Sequence, residues 1–396
     1  MTAPGLSRSP VGVAIMFATN GAVFASVLPW YPTLKQQWGL DDLVFGFVVA
    51  AFAAGSLGSP VLPSLAVGRF GPRRVVFWGT VALALLVAGV GWASSGLVLA
   101  ILLLGVGLVD AVVDVSQNVA GVRVESRGRR SILSSMHAFW SLGAVAGGAA
   151  GTAAASAGWD IRAHLAAVAA SVIGLVALAV LLTGPVPEVP AAADGPGGVE
   201  KRPGPGFGRI MLVTLPVALL ATSGTMVEDI ANNWAGLSSV ELAGVAVGDA
   251  GVAFTVVLAA QMVGRFTGDR FIDRFGRVAV ARAGGVLIAL GGLAVVAASG
   301  PGLLYAGYAL AGFGCATLVP SAFAAAARLP GVSEGAGVTA VSWLMRIGFL
   351  ATSPVLGALS AVTSLRRALL LLVAAGVVVA VLAPALRSGP ARAPGT

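Results

Sequence analysis

The chain has 396 residues, of which 57% are hydrophobic and only 10% carry a charge. Soluble domains carry about 25% charged residues, so this composition excludes a soluble fold of the same length. The mean hydropathy of +0.94 and the formal net charge of +8 indicate a basic membrane protein.

Apolar runs of about 20 residues recur along the whole chain, and each is long enough to cross about 30 Å of hydrocarbon. Lipid offers no partner for backbone amides and no stretch alternates like a barrel strand, so every span is predicted to be helical. Residues 1–10 are polar, and the first run is long enough to remain as a span rather than to be cleaved as a signal. The twelve predicted spans lie near 11–31, 43–66, 75–93, 97–120, 131–155, 163–183, 209–234, 247–266, 278–298, 302–326, 336–359 and 367–386.

Basic residues lie mainly on one side of the predicted spans. With the amino terminus inside, cytoplasmic segments hold 19 of the 24 Lys and Arg residues, and the outer loops hold only Lys35, Arg162, Arg366 and Arg367. Because positively charged loops stay in the cytoplasm, both termini are predicted to be cytoplasmic in a multi-pass protein of the inner membrane. The net charge therefore follows from topology, and nucleic acid is not expected as a partner.

A short basic loop occurs twice in the chain. The tripeptide Arg-Phe-Gly at 69–71 returns 205 residues later at 274–276. Between the two copies, residues 184–208 contain seven Gly and six Pro, a composition typical of a flexible or extended connector. The sequence therefore predicts an all-α membrane protein with two pseudo-symmetric six-helix bundles, 1–183 and 209–396, joined by a cytoplasmic linker.

The fourth predicted span contains two carboxylates. Asp110, Asp114 and Asn118 are spaced i, i+4, i+8 and share one helix face, with Gln117 beside them. A charge at the centre of a span costs about 2.5–3.5 kcal/mol on insertion scales, and two carboxylates one turn apart raise the proton affinity of at least one. Asp110 and Asp114 are therefore proton-coupling candidates, and Asn118 and Gln117 are substrate-binding candidates. The alternative is a hydrogen-bonded pair that only stabilises packing.

His137 lies in the fifth span at about the depth of Asp114. A carboxylate beside it would raise the proton affinity of the imidazole, so His137 joins the proton-coupling candidates. The alternative is a buried structural donor. Trp140, one turn further along, and Asn20 in the first span are candidate substrate contacts.

Three glycines at four-residue spacing follow in the same span. Gly143, Gly147 and Gly151 lie on one helix face. Small residues at this spacing let two helices approach closely in a membrane. We therefore expect this stripe to pack against another span rather than to bind a ligand.

The seventh span carries the sequence MVEDIANNW at 226–234. The adjacent Glu228 and Asp229 point about 100° apart on a helix, so only one of them is expected to face the transport pathway fully. Glu228 is the proton-coupling candidate. The i, i+4 pairs Glu228–Asn232 and Asp229–Asn233 form two polar stripes. The candidate substrate contacts of this span are Asp229, Asn232, Asn233 and Trp234.

Two polar residues of later spans complete the candidate site. Gln261 in the eighth span is a candidate substrate contact. Arg346 in the eleventh is the buried cation of the C-terminal half, and it either neutralises Glu228 or Asp110 across the cavity or binds an anionic substrate. A fixed structural counter-ion is the alternative.

The second basic loop resembles a loop of the major facilitator superfamily. GDRFIDRFGR at 268–277 is similar to the loop between helices two and three of each half of that family, in which a Gly precedes Asp-Arg-x-Gly-Arg. Asp273 is expected to cap or pair with a neighbouring helix end, while Gly276 permits a sharp turn. The first copy departs from the pattern, with Gly68 in place of the acid and Pro72 in place of an Arg. The resemblance implies a gating role for Arg69, Gly71, Asp269, Asp273, Arg274, Gly276 and Arg277.

Two further stretches, 109–121 and 134–143, resemble a poorly characterised bacterial branch of this superfamily that is distantly related to fucose permease. In that branch an acid stands six residues before a Trp, which matches Glu228, and an Asp usually precedes the Trp, where this chain has Asn233. The drug-antiporter branch usually has an Arg in helix four and a Gly-Pro pair in helix five. Both are missing here, which disfavours a multidrug antiporter.

The resemblance and the intramembrane carboxylates together predict a secondary transporter. It is expected to act as a monomer in the lipid bilayer and to move a small, polar organic molecule with protons by alternating access. No phosphate-cradling Gly-Lys-Ser/Thr motif, nucleophile–base pair or metal cluster occurs in the sequence, so neither an enzyme nor a cofactor is expected. The alternatives are a drug or metabolite efflux antiporter, an uncoupled facilitator and a non-transporting membrane sensor.

Overall fold

The computed structural model describes residues 9–58, 62–128, 133–184, 207–330, 332 and 334–387. In these ranges every regular element is a helix. The twelve long helices are α1 (Ser9–Ala25), α2 (Asp42–Leu57), α3 (Pro72–Val90), α4 (Gly96–Gly128), α5 (Leu133–Ser156), α6 (Ile161–Thr183), α7 (Phe207–Ala243), α8 (Gly251–Phe275), α9 (Arg277–Ala297), α10 (Pro301–Cys315), α11 (Glu334–Val362) and α12 (Leu370–Leu382).

Shorter helical segments extend several of these helices. Tyr31–Gln37 continues α1 through the 3₁₀ turn Leu28–Trp30, and Leu62–Phe70 follows α2. Leu318–Ala326 continues α10, and Leu365–Ala368 precedes α12. Each long helix, taken with its extension, corresponds to one of the twelve predicted spans.

Ten helical segments in the described ranges are long and apolar enough to cross a membrane. Of the remaining two spans, α2 is a shorter apolar helix, and α5 has 24 residues but is composed largely of Gly and Ala in its second half. Large apolar side chains such as Leu97, Leu181 and Leu212 are more than 70% exposed. Because so much exposed apolar surface is a liability in water, lipid is the solvent of this surface.

Three helices run well past their predicted ends. The apolar run of the fourth span ends near residue 120, whereas α4 continues to Gly128; α7 and α8 likewise continue to Ala243 and Phe275. Hydropathy falls at the first polar residues, but the backbone can keep its helical hydrogen bonds where the helix leaves the hydrocarbon. The predicted spans therefore marked the apolar part of each helix rather than its full length.

The chain forms two compact units. The first contains Met1–Pro196 together with Val245–Leu258, and the second contains Gly197–Gly244 together with Ala259–Thr396. Most of the predicted linker, residues 185–206, lies outside the described residues.

Glycines set the close helix pairs within the first unit. A side chain at Gly143, Gly147 or Gly151 would collide with the backbone of α1 at Ala18 and Ala22 or of its extension at Ser26. The predicted packing role of this stripe is therefore confirmed, and its partner is the first span.

The second unit uses the same device. Gly307 of α10 leaves room for the carbonyl oxygen of Gly291 on α9, which would lie 2.6 Å from an added Cβ. On the other side of α9, Gly285 and Gly376 bring α12 equally close. Without such small residues, neither neighbour could approach α9 at backbone distance.

The two basic loops have the same backbone geometry. Gly71 and Gly276 have φ values of 75° and 80°, a region that glycine occupies without a steric penalty. The amide of Gly71 donates to the carbonyl of Val67 at 2.9 Å, and that of Gly276 donates to Ile272 at 2.8 Å. The repeat seen in the sequence is thus a repeat in structure, which reverses the chain between α2 and α3 and again between α8 and α9.

Candidate functional site

In the first unit, Asn20 links a carboxylate to an indole. Its Nδ2 donates to Asp110 Oδ1 at 2.8 Å, and its Oδ1 accepts from Trp140 Nε1 at 2.8 Å. Asn20 lies on α1, Asp110 on α4 and Trp140 on α5, and Asn20 is only 2% exposed. Because Trp Nε1 can only donate, the indole fixes the amide with its NH₂ group toward the carboxylate. Asp110 Oδ2 has no hydrogen-bond partner among the described residues.

One turn further along α4, Asp114 is exposed and accepts from two amides of its own helix. Gln117 Nε2 and Asn118 Nδ2 each lie 3.2 Å from Asp114 Oδ1. Gln117 is fully buried, and its Oε1 has no partner within the described part of the chain. A buried carbonyl oxygen without a donor is costly, so the Gln117 amide is left with an unmet acceptor in this conformation.

His137 of α5 packs on α1 instead of pairing with Asp114. Its ring lies edge-on to Phe17, with 5.3 Å between the ring centroids. Asp114 bonds only Gln117 and Asn118 among the described residues, so the pairing of His137 with Asp114 that the sequence left open is not formed. The glycine stripe explains the difference, because it places α5 against α1 and directs the imidazole toward that helix.

In the second unit, Glu228 of α7 forms an ion pair with Arg265 of α8. Arg265 Nη2 lies 2.9 Å from Glu228 Oε1, and the two side chains are 38% and 29% exposed. Gln261 donates to the same carboxylate oxygen, and its Nε2 also lies 3.7 Å from the Cys315 sulfur on α10. Glu228 is therefore held by an amide and a guanidinium that stand one turn apart on α8.

Arg265 is the residue that sequence reasoning missed. It stands at the end of the predicted eighth span, where an arginine is expected to serve topology alone. The available signal was the i, i+4 spacing of Gln261 and Arg265, which places both on one helix face.

Arg346 is not the counter-ion of Glu228 in this conformation, which was one of the roles that the sequence left open for it. It is exposed on α11 and forms neither a hydrogen bond nor an ion pair with a described residue. Arg265 reaches the carboxylate from the neighbouring helix and neutralises it, which leaves no unbalanced charge on Glu228 for Arg346 to offset.

Asp229 points away from Glu228 into a buried network with α11. Its Oδ2 accepts from Ser353 Oγ and its Oδ1 accepts from Asn233 Nδ2 at 2.8 Å. Ser353 Oγ in turn accepts from Trp234 Nε1 at 3.0 Å. Asp229 is 4% exposed and Trp234 fully buried, so in this conformation their polar groups bond the protein itself. Asn232, which the sequence places on the same helix stripe as Glu228, has no hydrogen bond among the described residues.

The predicted gating residues lie at the repeated loops. Arg69 and Arg274 each place their guanidinium over the next ring, 5.5 Å from the Phe70 centroid and 5.3 Å from that of Phe275. Asp269 and Asp273 are exposed and bond no described residue, and α9 begins without a side-chain cap. The expected capping or pairing of Asp273 is absent in this conformation, because at the end of α8 its side chain is exposed.

The chain matches the family model of the Major Facilitator Superfamily twice, over residues 13–227 and 209–396. It is 30% identical to membrane protein MosC of Rhizobium meliloti, over 96% of this chain and 90% of that protein. It is 26% identical to an uncharacterized MFS-type transporter of Yersinia pestis, over 91% of each. A bacterial homolog of the human lysosomal transporter Spinster, solved in an inward-facing and unoccupied conformation, covers 99% of this chain and is itself covered completely, with a TM-score of 0.76 and 15% identity.

Proposed function

Since the chain belongs to the major facilitator superfamily and is a multi-pass membrane transporter, we propose that it moves a small, polar organic solute across the cytoplasmic membrane by proton-coupled alternating access. The ion pair of Glu228 with Arg265 inside the membrane carries this proposal. The excess of basic residues in alternate loops supports an orientation with both termini in the cytoplasm.

In the Glu228–Arg265 pair, a proton and the guanidinium of Arg265 compete for the same carboxylate. Both side chains are partly exposed, so water and a solute can reach them. When Glu228 accepts a proton, the carboxyl group loses its charge and its attraction for the guanidinium of Arg265. Arg265 is then released to bind another acceptor, such as an oxygen of the solute. Protonation and solute binding are thereby linked through one arginine.

Asp110 supplies a second protonation site in the first unit. Asn20 donates to one carboxylate oxygen, and the other oxygen has no partner among the described residues. An isolated carboxylate within a span is costly unless it is paired, wetted or neutralised. A proton on Oδ2 would neutralise Asp110 without disturbing the bond to Asn20. Asp114 is more exposed and stands one turn away, so each of the two acids influences the charge of the other.

The groups around these acids favour a polar solute with hydroxyl or amino groups. Gln117 presents a buried acceptor without a donor, and Trp140 lies beside Asn20 with its ring only partly buried. Carboxamides can both donate and accept, and an indole face stacks on the apolar side of a ring. Arg346, exposed on α11, remains a candidate contact for an anionic group of the solute.

The test uses purified protein in proteoliposomes that enclose a pH-sensitive dye. Monosaccharides, polyols, nucleosides and amino acids are added one at a time, with an imposed pH gradient and without it. A solute that moves protons into the lumen only in the presence of the protein supports the proposal. Glu228→Gln is expected to abolish the proton flux, whereas Glu241→Gln, the same change at an exposed position near the end of α7, leaves it intact.

Two outcomes would contradict the coupling assignment. If the rate of solute transport does not depend on the imposed pH gradient, the protein is an uncoupled facilitator. Equal proton flux in the wild type and in the Asp110→Asn, Asp114→Asn and Glu228→Gln variants removes these acids from the mechanism.

A further inference from the structure

A cavity of about 360 Å³ lies in the second unit, bounded by α8, α9 and the end of α10. Phe271, Phe275 and Phe313 form its aromatic wall, and small residues of α9 form the opposite side. Thr317 supplies the one polar side chain among the lining residues. Neither Gln261 nor Arg265 lines this cavity, so it is separate from the Glu228 cluster.

The cavity opens onto the outer surface of the helices. Phe271 and Phe275 stack with 6.5 Å between ring centroids, and they are 42% and 57% exposed. Both rings stand in the last turns of α8, beside the basic residues of the α8–α9 loop, and the end of a membrane-spanning helix lies where the hydrocarbon meets the headgroup layer. The opening therefore lies at the depth where an acyl chain meets its headgroup.

A cation stands at the opening. The guanidinium of Arg274 lies over the Phe275 ring, 5.3 Å from its centroid, and Phe275 lines the cavity. The cavity face of α8 is marked by Gly264, Gly268, Phe271 and Phe275, and at about 100° per residue Asp273 points to the opposite face of the helix. The charged residues of this stretch are Asp269, Arg270, Asp273, Arg274, Arg277 and Arg282, with an excess of two positive charges.

We propose that this cavity binds one anionic phospholipid of the leaflet that meets the α8–α9 loop. The acyl chain lies against the three phenylalanines, and the phosphate is bound by Arg274, with Arg277 at the first turn of α9 beside it. A guanidinium binds phosphate through two parallel hydrogen bonds, and the positive end of the α9 dipole favours the same charge. This assignment goes beyond the transport function and does not depend on it.

The first unit supplies an internal comparison. Arg69 lies over Phe70 as Arg274 lies over Phe275, so the cation–aromatic pair is present in both copies. The offset of 205 residues places Trp78 at the position of Ala283 (283 − 205 = 78) and Ala66 at that of Phe271 (271 − 205 = 66). One cavity-lining alanine is thus a bulky indole in the first copy, and one ring of the wall is missing there.

The experiment measures lipid binding to the purified protein by native mass spectrometry. Phosphatidylglycerol and phosphatidylcholine with identical acyl chains are titrated separately. The wild type is expected to retain one phosphatidylglycerol in preference to phosphatidylcholine. Ala283→Trp, which copies the first unit, is expected to abolish this binding. Arg274→Gln is expected to weaken it about fivefold, the ratio that corresponds to about 1 kcal/mol per basic residue near an anionic surface.

Arg69→Gln is the matched control, because it removes the same cation–aromatic pair from the unit in which Trp78 stands. Its affinity for phosphatidylglycerol is expected to equal that of the wild type. Equal retention of phosphatidylcholine, or wild-type binding by Ala283→Trp, would overturn the proposal. If Ala283→Trp does not fold, thermal unfolding decides: phosphatidylglycerol must raise the melting temperature of the wild type and of Arg69→Gln more than that of Arg274→Gln, and an equal shift in all three overturns the assignment.

Discussion

Arg265 Nη2 lies 2.9 Å from Glu228 Oε1, so the carboxylate of α7 has its counter-ion on α8. The bond joins two helices of the second unit. Removal of one partner takes this ion pair from the other charge, whereas removal of both leaves neither charge behind.

The first prediction concerns the stability of this pair. Glu228→Gln and Arg265→Gln are each expected to lower the melting temperature, while the double variant recovers most of the loss. Both side chains are partly exposed, so solvent screening limits their coupling energy to about 1 kcal/mol. A double-mutant cycle in detergent, followed by thermal unfolding, measures this coupling. Additive losses in the double variant would show that the two charges do not interact.

The second prediction concerns the bond between Trp140 and Asn20. Trp140→Phe keeps an aromatic ring but removes the donor to Asn20 Oδ1. The buried amide then has an unsatisfied acceptor, which costs about 1–3 kcal/mol, and it can rotate away from Asp110. A lower melting temperature and slower solute-driven proton flux are expected.

Trp159→Phe is the matched control for this change. Trp159 is 56% exposed near the start of α6, so the same substitution there is expected to leave the free energy of unfolding within about 0.5 kcal/mol of wild type. If Trp140→Phe changes neither the stability nor the solute-driven proton flux, the indole does not orient Asn20.

The sequence predicted the helices well because the pattern that specifies a span is local. Twenty apolar residues must form a helix in lipid whatever lies beside them. The repeat of Arg-Phe-Gly was also informative, since Gly71 and Gly276 both occupy positive φ. The apolar runs of α4, α7 and α8 ended before their helices did, because hydropathy registers the membrane and not the backbone hydrogen bonds that continue beyond it.

The partners of the polar side chains were harder to predict, because they depend on which helices are neighbours. Arg346 was one candidate counter-ion for Glu228, which instead pairs with Arg265. His137 was a candidate partner of Asp114, and its ring packs on Phe17. The spacing along one helix correctly predicted that Asp229 and Asn233 would share a face. The rotation and the neighbours of a helix are set by close contacts at glycines such as Gly143, which leaves room for the backbone of α1. A single sequence does not reveal which helix packs against such a glycine.

The third prediction concerns Ser353, which bonds three side chains of α7. Its Oγ donates to Asp229 and accepts from Asn233 and Trp234. Ser353→Ala removes all three bonds from a site that is 1% exposed, so a loss of about 2 kcal/mol or more is expected. Ser342→Ala, on the same helix and partly exposed, is expected to change stability little. The melting temperatures of the two variants are measured by thermal unfolding. Equal values would mean that the network does not stabilise the α7–α11 contact.

The fourth prediction concerns the glycine stripe of α5. Gly147→Ala places a methyl group against the backbone of α1 at Ala22, where neither main chain can yield without a shift of the helix. Overpacking of this kind costs about 1–3 kcal/mol. Since α5 also carries Trp140, the shift is expected to lengthen its bond to Asn20 and to slow the solute-driven proton flux.

Gly174→Ala on α6 is the matched control, because an added Cβ at Gly174 meets no heavy atom within 4 Å. There the substitution relieves the conformational cost of glycine in a helix, about 0.5–1 kcal/mol, and is expected to leave stability equal or slightly higher. The melting temperatures of the two variants should therefore move in opposite directions or differ by several degrees. If Gly147→Ala is as stable as Gly174→Ala, the close approach of α5 to α1 is not what holds the first span in place.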